Sequence, residues 1–472
     1  MRQLSFVDTA FLLQDTPARS NHLGMIGIYD PSTAPAGSPT FADFMAKIEA
    51  SLPVAPTMRR KLVHVPLGLD RPYWVEDPAF DLEFHVREIA VPAPGDWCQF
   101  RTLVARLYAR PLDLRRPPWE LTIIRGVDQV PGLPTGCFGV VLKVHHAAID
   151  GMAGLELWNA LHTLGPDVSP DPVPDEWQPE PIPPAASLLG LAATHAVTKP
   201  LSSLWLLARN ASPLVRQAID AARAGAPRWR VPRTRFNAAL SPHRTFDEAR
   251  CPLADLKAVK AVVPGASIND VCLSVIGGAL RRYLASVGEL PEESLMTIVP
   301  VSTRTPEQAG ATGNQISMMR VNLGTDLADP IERLAMIQAE TARKKAAQSG
   351  VAVPVLLDVA QTLPGALIGG AARSLSSFVE RGPVFANTIV TNVPASPVPL
   401  YLLGCELVRS TGMTPLAVGV GLFHAVSSYA GTFSFMVTAD RDALADPTPY
   451  TEALEASIAE HVEAATALAS AA

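Results

Sequence analysis

Apolar and polar positions recur along this chain with two periods. Spacing near 3.6 predicts helices over 41–52, 96–108 and 267–285. In the last of these Cys272, Val275, Ile276, Ala279, Leu280 and Tyr283 share one side. Residues 152–164 read as a further helix stopping at Gly165, and 451–469 as a closing one. Shorter apolar runs predict strands at 121–125, 138–146, 295–301, 315–323 and 387–393. Residues 422–440 read as a hairpin turning at Ala430-Gly431. The run 138–146 is nearly continuous in apolar residues, as in a strand buried on both faces. Both halves mix helices with strands, so the predicted fold class is α/β, of the α+β type.

The pattern breaks at 166–184, where eight of 19 residues are Pro. Such a segment behaves as a stiff, extended linker. It separates an N-terminal part, 1–165, from a C-terminal part, 246–472. The intervening 166–245 continues with nine Lys or Arg against the single acid Asp220 over 181–245. Leu188, Leu189, Leu191, Leu204, Trp205, Leu206, Leu207 and Trp229 lie among these charges. Two readings stand side by side: an amphipathic segment on an anionic lipid surface, or a crossover helix with a solvated basic face.

With 472 residues, 48% apolar and 18% charged, the chain has material for two domains of ~200 residues. The net charge of −6 argues against nucleic acid as the main partner. Five cysteines without a Cys-x-x-Cys pair suggest neither a disulfide framework nor a zinc ribbon, and fit a reducing compartment. Asp8 comes too early for a signal-peptide core. No apolar run reaches the ~20 residues of a membrane span. A cytoplasmic protein, soluble or peripherally attached to membrane or lipid inclusions, is expected.

Gly-x-Ser-x-Gly, P-loop, Gly-x-Gly-x-x-Gly and His-Glu-x-x-His signatures are absent. What remains is Val144-His145-His146-Ala147-Ala148-Ile149-Asp150-Gly151. The pattern His-His-x-x-x-Asp-Gly arises by chance in roughly one such chain per thousand. If the strand persists to its end, alternation places His146 with Val144 and His145 with Lys143 on the opposite face, which argues against one shared metal. One imidazole is then free to act as a general base near neutral pH. It would deprotonate an alcohol or amine attacking an activated acyl donor such as a thioester. Asp150 would hold the turn and Gly151 would permit its tight backbone; the alternative is a buried structural His pair with Asp150 as a helix cap. Upstream, the 110–120 segment reads as a rigid Pro-rich approach, with Pro117 stiffening it and Trp119 as packing anchor. Ser267-Ile268-Asn269-Asp270 opens a helix: Asp270 fits a capping box, and Asn269 would face a substrate or a loop.

These residues resemble the bacterial wax ester synthase/diacylglycerol acyltransferase family, within the superfamily of chloramphenicol acetyltransferase and peptide-synthetase condensation domains. The resemblance runs through Leu4-Ser5-Phe6-Val7-Asp8 with Phe11 and His22, Trp74 to His85, the 110–120 segment and the His-His motif. It continues through Asn269-Asp270, Val299 to Arg304, Gly313-Asn314-Gln315, Thr391-Asn392-Val393-Pro394, and Ser428-Tyr429 with Gly431. Two positions depart from the family pattern: Pro118, where Leu is usual, and Ala395, where Gly is frequent.

The resemblance implies two chloramphenicol-acetyltransferase-like lobes joined by a crossover, with an active-site tunnel between them and His146 near its middle. Acyl-CoA would serve as co-substrate, without a further cofactor or metal. Diacylglycerol or a long-chain alcohol would accept the acyl group, giving triacylglycerol or wax esters, at a membrane or lipid-droplet surface. His145, His146, Asp150 and Gly151 would form the catalytic motif. Asn269, Asp270, Thr391 and Asn392 are candidates for substrate or oxyanion contact. Pro117, Trp119 and Arg304 belong to the structural motifs. Acyl transfer from a carrier-protein thioester, and a non-catalytic lipid-surface protein, are the alternatives.

Overall fold

In the computed structural model, the described residues are 1–472 without 149–152, 168–172, 213, 214, 217, 218, 220–230, 303–315, 348–358, 364–366, 371–381, 383 and 472. The first part of the chain runs through β1 (Arg2–Gln3), α1 (Phe6–Leu13), β2 (His22–Asp30), α2 (Phe41–Ser51), β3 (Arg60–Val63), β4 (Tyr73–Glu76) and β5 (Val86–Ala90). It continues with α3 (Trp97–Ala109), β6 (Trp119–Val127), β7 (Cys137–His145) and α4 (Ala153–Leu161). After the crossover helix α5 (Ala185–Arg209) come β8 (Arg244–Pro252), α6 (Leu253–Ala261), α7 (Ile268–Ser286), β9 (Met296–Ser302), β10 (Ile316–Asn322) and α8 (Pro330–Ala347). The chain closes with β11 (Thr388–Asn392), β12 (Tyr401–Leu402), β13 (Cys405–Met413), β14 (Leu422–Tyr429), β15 (Thr432–Asp440) and α9 (Thr448–Ala471).

Two six-stranded sheets carry the two lobes, ordered β12-β13-β2-β7-β6-β5 and β10-β9-β11-β14-β15-β8; β1, β4 and β3 form a smaller sheet. Every residue of β7 is buried, as its apolar run requires. On one face Phe138, Val140, Leu142 and Val144 meet Phe44 and Ile48 of α2 and Leu157 and Trp158 of α4. On the other face α3 approaches so closely that a Cβ on Gly139 would stand 2.6 Å from the Phe100 ring. The buried Lys143 ammonium there donates to the carbonyls of Leu107 and Arg110 at the end of α3, and pairs with Glu120. A cation at a helix C-terminus is well placed.

The second sheet is covered by α6, α7, α8 and α9, whose apolar faces form its core. Its hairpin β14–β15 turns at Ala430 and Gly431, both at positive φ (43° and 83°), a type I′ geometry matching the strand twist.

One boundary differs from the sequence reading. Residues 246–472 do not stay together, because β12 and β13 leave the second lobe and join the first sheet, β13 pairing antiparallel with β2. The reason is an edge: β2 is paired with β7 on one side only, and its other side needs a partner. The lobes are further tied by ion pairs of Asp247 and Glu248 in β8 with Arg101 of α3 and Arg409 of β13, all buried. A second difference is local. The helix predicted to run to Leu164 ends at Leu161, because Thr163 bridges to Tyr401 at the sheet edge, with backbone hydrogen bonds of 2.8 and 2.9 Å.

The Pro-rich linker, where described, has no regular structure but is pinned to the first lobe. Arg59 holds Asp175 with two hydrogen bonds of 2.8 and 2.6 Å, and its guanidinium lies 4.7 Å from the Trp177 ring. Among the described residues no helix is long and apolar enough to cross a membrane.

Candidate active site

The strand β7 ends at His145, one residue earlier than alternation assumed, and His146–Ala148 form a 3-10 turn. His146 is therefore turned out of the ladder. Its ring stacks on Phe11 of α1, centroids 4.0 Å apart, and its backbone N–H donates to the Asn21 carbonyl at 2.7 Å. Its Nδ1 is buried without a hydrogen-bond partner among the described residues. Burial, followed by the neighbouring His145, pushes its pKa down to about 4, so the ring is neutral at physiological pH.

His145 has no exposed surface. Its Nδ1 accepts the Ala147 N–H at 3.1 Å, and its Nε2 lies 2.9 Å from Asp15 Oδ2. The other Asp15 oxygen accepts the backbone N–H and the side-chain amide of Asn21, at 2.9 and 2.8 Å. Burial raises the Asp15 pKa, but the bonds from His145 and Asn21 outweigh it and hold the carboxyl below its ordinary value. Asn21 Nδ2 also donates to the Phe11 carbonyl at 2.8 Å. The two histidines thus have different partners. Among the described residues no group of three or more His, Cys, Asp or Glu is placed to hold a metal ion.

Trp119 is a buried anchor: its indole N–H donates to the Met58 carbonyl at 2.7 Å and its ring stacks on His85 at 4.5 Å. Pro117 is buried beside it, and the Pro118 carbonyl accepts the His145 N–H at 2.9 Å. The Pro-rich approach therefore serves the His motif through one backbone bond.

In the second lobe, Ser267 caps α7 and Asp270 closes the capping box, its other oxygen taking the Thr341 hydroxyl at 2.7 Å. Asp270 is buried and structural. Asn269 is exposed, and its carbonyl oxygen accepts the amide of Asn392 at 2.7 Å. The structure thus joins two predicted residues across the start of α7 and the end of β11, with Thr391 half-buried beside them. Asp150, Gly151 and Arg304 lie outside the described residues. The residues that sequence reading missed are Asp15 and Asn21; their signal is a polar turn just before the strand whose His22 pairs in register with His145.

The fold is that of a two-lobed acyltransferase. It superposes on the wax ester synthase/diacylglycerol acyltransferase of Marinobacter aquaeolei VT8 with a TM-score of 0.70 at 22% identity, covering 99% of this chain and 100% of that one. It superposes on the trichothecene 15-O-acetyltransferase of Fusarium sporotrichioides with a TM-score of 0.58 at 13% identity, covering 98% and 94%. In sequence, residues 4–272 match the wax ester synthase/diacylglycerol acyltransferase catalytic domain and residues 312–461 the WS/DGAT C-terminal domain. A Mycobacterium tuberculosis protein named for diacylglycerol O-acyltransferase activity is 33% identical over 450 residues, 93% of this chain and 92% of the relative. The chain belongs to the wax ester synthase/diacylglycerol acyltransferase family. It is an acyltransferase.

Proposed function

We propose that the protein esterifies diacylglycerol or a long-chain alcohol with the acyl group of a long-chain acyl-CoA, using His146 as general base. The observation that carries this reading is the neutral, Phe11-stacked imidazole at the end of a fully buried strand. His146 takes the hydroxyl proton as the alcohol oxygen bonds to the thioester carbonyl carbon. The carbon–sulfur bond then breaks, the proton passes to the thiolate, and ester and free CoA leave. No covalent enzyme intermediate is needed. The oxyanion formed between these steps requires a donor. Asn269 fits this part: with its oxygen engaged by Asn392, its NH2 group is turned the other way.

A lipid surface suits such substrates, and α5 supports it. Its docked side places Leu188 and Ala192 on Val65, Tyr73 and Val75, and sets His195 and Lys199 on Asp70. Its opposite side leaves Val197, Leu201, Leu204 and Trp205 between 59% and 65% exposed. The spacing i, i+4, i+7, i+8 makes these one face. Leu67, in the 3-10 turn beside α5, is held at φ 58° and is 89% exposed. Exposed apolar residues on one face beside basic ones suit interfacial binding.

The test is release of CoA thiol from palmitoyl-CoA with diacylglycerol, a long-chain alcohol or no acceptor, by the protein and by His146→Ala. Acceptor-dependent release lost in the variant is expected; equal release by both would remove His146 from the reaction.

A further inference from the structure

We infer that Asp15 is the positioning residue of the His-His motif, one carboxylate holding both histidines: His145 by its ring and, through Asn21, His146 by its backbone. This rests on the reading of His146 as general base.

Ala147 N–H can only donate, so the His145 Nδ1 that receives it carries no hydrogen. The ring proton is then on Nε2 and points at Asp15 Oδ2, 2.9 Å away. The Asp15–His145 bond thus selects one neutral tautomer. Only in that tautomer, or the doubly deprotonated ring that chemistry excludes here, does Nδ1 remain an acceptor for Ala147. A hydrogen moved to Nδ1 would expel the Ala147 N–H and open the turn that begins at His146.

The second oxygen acts on His146 through Asn21. Oδ1 accepts both the backbone and the side-chain N–H groups of Asn21. The Asn21 carbonyl in turn accepts the His146 N–H. The Asn21 side chain also holds the Phe11 carbonyl, and the Phe11 ring is the surface on which His146 lies. Removing one carboxylate therefore loosens the tautomer of His145, the backbone anchor of His146 and the seat of the stacking ring. Asp15 touches no reacting atom in this arrangement and acts through the two histidines.

The experiment compares the full chain with Asp15→Ala and Asp15→Asn. It combines initial rates with palmitoyl-CoA and long-range 1H–15N spectra of 15N-histidine-labelled protein, the His145 signals being assigned by their loss in His145→Gln. The unsubstituted protein should show His145 as the Nε2–H tautomer. Asp15→Ala should lower kcat by about 10²-fold, the scale of a small misplacement of a reacting group. KM for palmitoyl-CoA should stay within about twofold, and the His145 signals should move toward a tautomer mixture. Asp15→Asn keeps the shape and one acceptor oxygen, so it can serve His145 or Asn21 but not both; an intermediate kcat is expected. If Asp15→Ala does not fold, Asp15→Asn decides: a reduced kcat at unchanged melting temperature supports the inference, and an unchanged kcat overturns it. A risen KM with intact kcat, or an Nδ1–H tautomer in the unsubstituted protein, also overturns it. Absence of thiol release from the unsubstituted protein would instead defeat the assigned reaction, and the tautomer spectrum would still judge the role of Asp15.

Discussion

The ring of Phe11 lies nearly flat on the ring of His146, with 4.0 Å between centroids and 26° between planes. The partner comes from α1, more than a hundred positions upstream, and covers the imidazole from water. Burial is the main reason that His146 stays neutral down to about pH 4. Phe11→Leu keeps apolar volume but replaces a flat cover with a narrower one. The His146 pKa should then rise toward its ordinary 6.5. A base works only unprotonated, so the acid limb of kcat/KM should move to higher pH, and the rate near pH 5 should fall about threefold or more. A pH–rate profile of the two proteins checks this, and an unmoved limb would mean that something other than Phe11 shields the ring.

Buried neutral histidines also set how the fold responds to acid. Burial pushes His22 and His424 down to about 3, and His146, His162 and His461 to about 4. An unfolded histidine takes up its proton near 6.5, so below that pH the unfolded chain binds more protons than the folded one. Stability from these groups is whole above pH 6.5 and drains away as the pH falls toward their folded values. Each such residue costs about 1.4 kcal/mol per pH unit within that window. Urea midpoints should therefore drop steeply from about pH 7 to about pH 5. Replacing His461, which bonds Ser274 and the Ser457 carbonyl, by Gln should flatten the slope by one proton's worth. A midpoint independent of pH over this range would contradict the assignment.

Adjacent residues at the start of α7 should separate stability from catalysis. Asp270 closes the helix cap and takes the Thr341 hydroxyl in a buried place. Asp270→Ala should cost about 1–3 kcal/mol in urea unfolding, from the lost cap and the stranded hydroxyl. Asn269 is exposed, and among the described residues its side chain bonds only Asn392. Asn269→Ala should change stability by less than about 0.5 kcal/mol. As the oxyanion donor it should lower kcat by about 10²-fold or more, with little effect on KM. Equal kcat in Asn269→Ala and the unsubstituted protein would take Asn269 out of the reaction.

The legible parts of this chain are those that local physics decides. The helix over Phe41–Ser51 is readable because its apolar positions recur at helical spacing, and the structure adds a Thr40–Asp43 capping box at its start. The hairpin is readable because two strand-like runs flank Gly431, which adopts positive φ freely, while Ala430 beside it takes φ 43° at a steric cost. The strand carrying the histidines was readable because it is apolar on both faces. What stayed hidden depends on partners distant in sequence. β2 contains Gly24 and Gly27, which weaken its strand signal, yet a Cβ on Gly27 would stand 2.7 Å from Leu407 of β13. β13 carries Glu406 and Arg409, and Arg409 is polar because it meets Glu248 of the other lobe. Asp15 reaches His145 across 130 positions, a contact that exists only once β2 and β7 pair in register. The histidines are marked by their motif; the carboxylate that orients them follows from topology.

Leu201 and Trp205 of α5 stand 63% and 59% exposed on the side opposite the His195–Asp70 and Lys199–Asp70 contacts. Replacing both by Glu removes no packing from the lobes, so the urea midpoint should hold. On a vesicle the same changes forfeit two apolar insertions, each worth about 1.5–3 kcal/mol when fully buried, and add two charges repelled by anionic headgroups. Binding to vesicles of mixed phosphatidylcholine and phosphatidylserine should weaken by roughly 10²-fold or more, since about 1.4 kcal/mol is tenfold. Thiol release with a soluble pair, butyryl-CoA and a short alcohol, should be unaffected, while release with diacylglycerol presented in vesicles should fall. If vesicle binding were unchanged, this face would not be the lipid contact. If the soluble reaction fell too, α5 would be supporting the active site rather than delivering it to a surface.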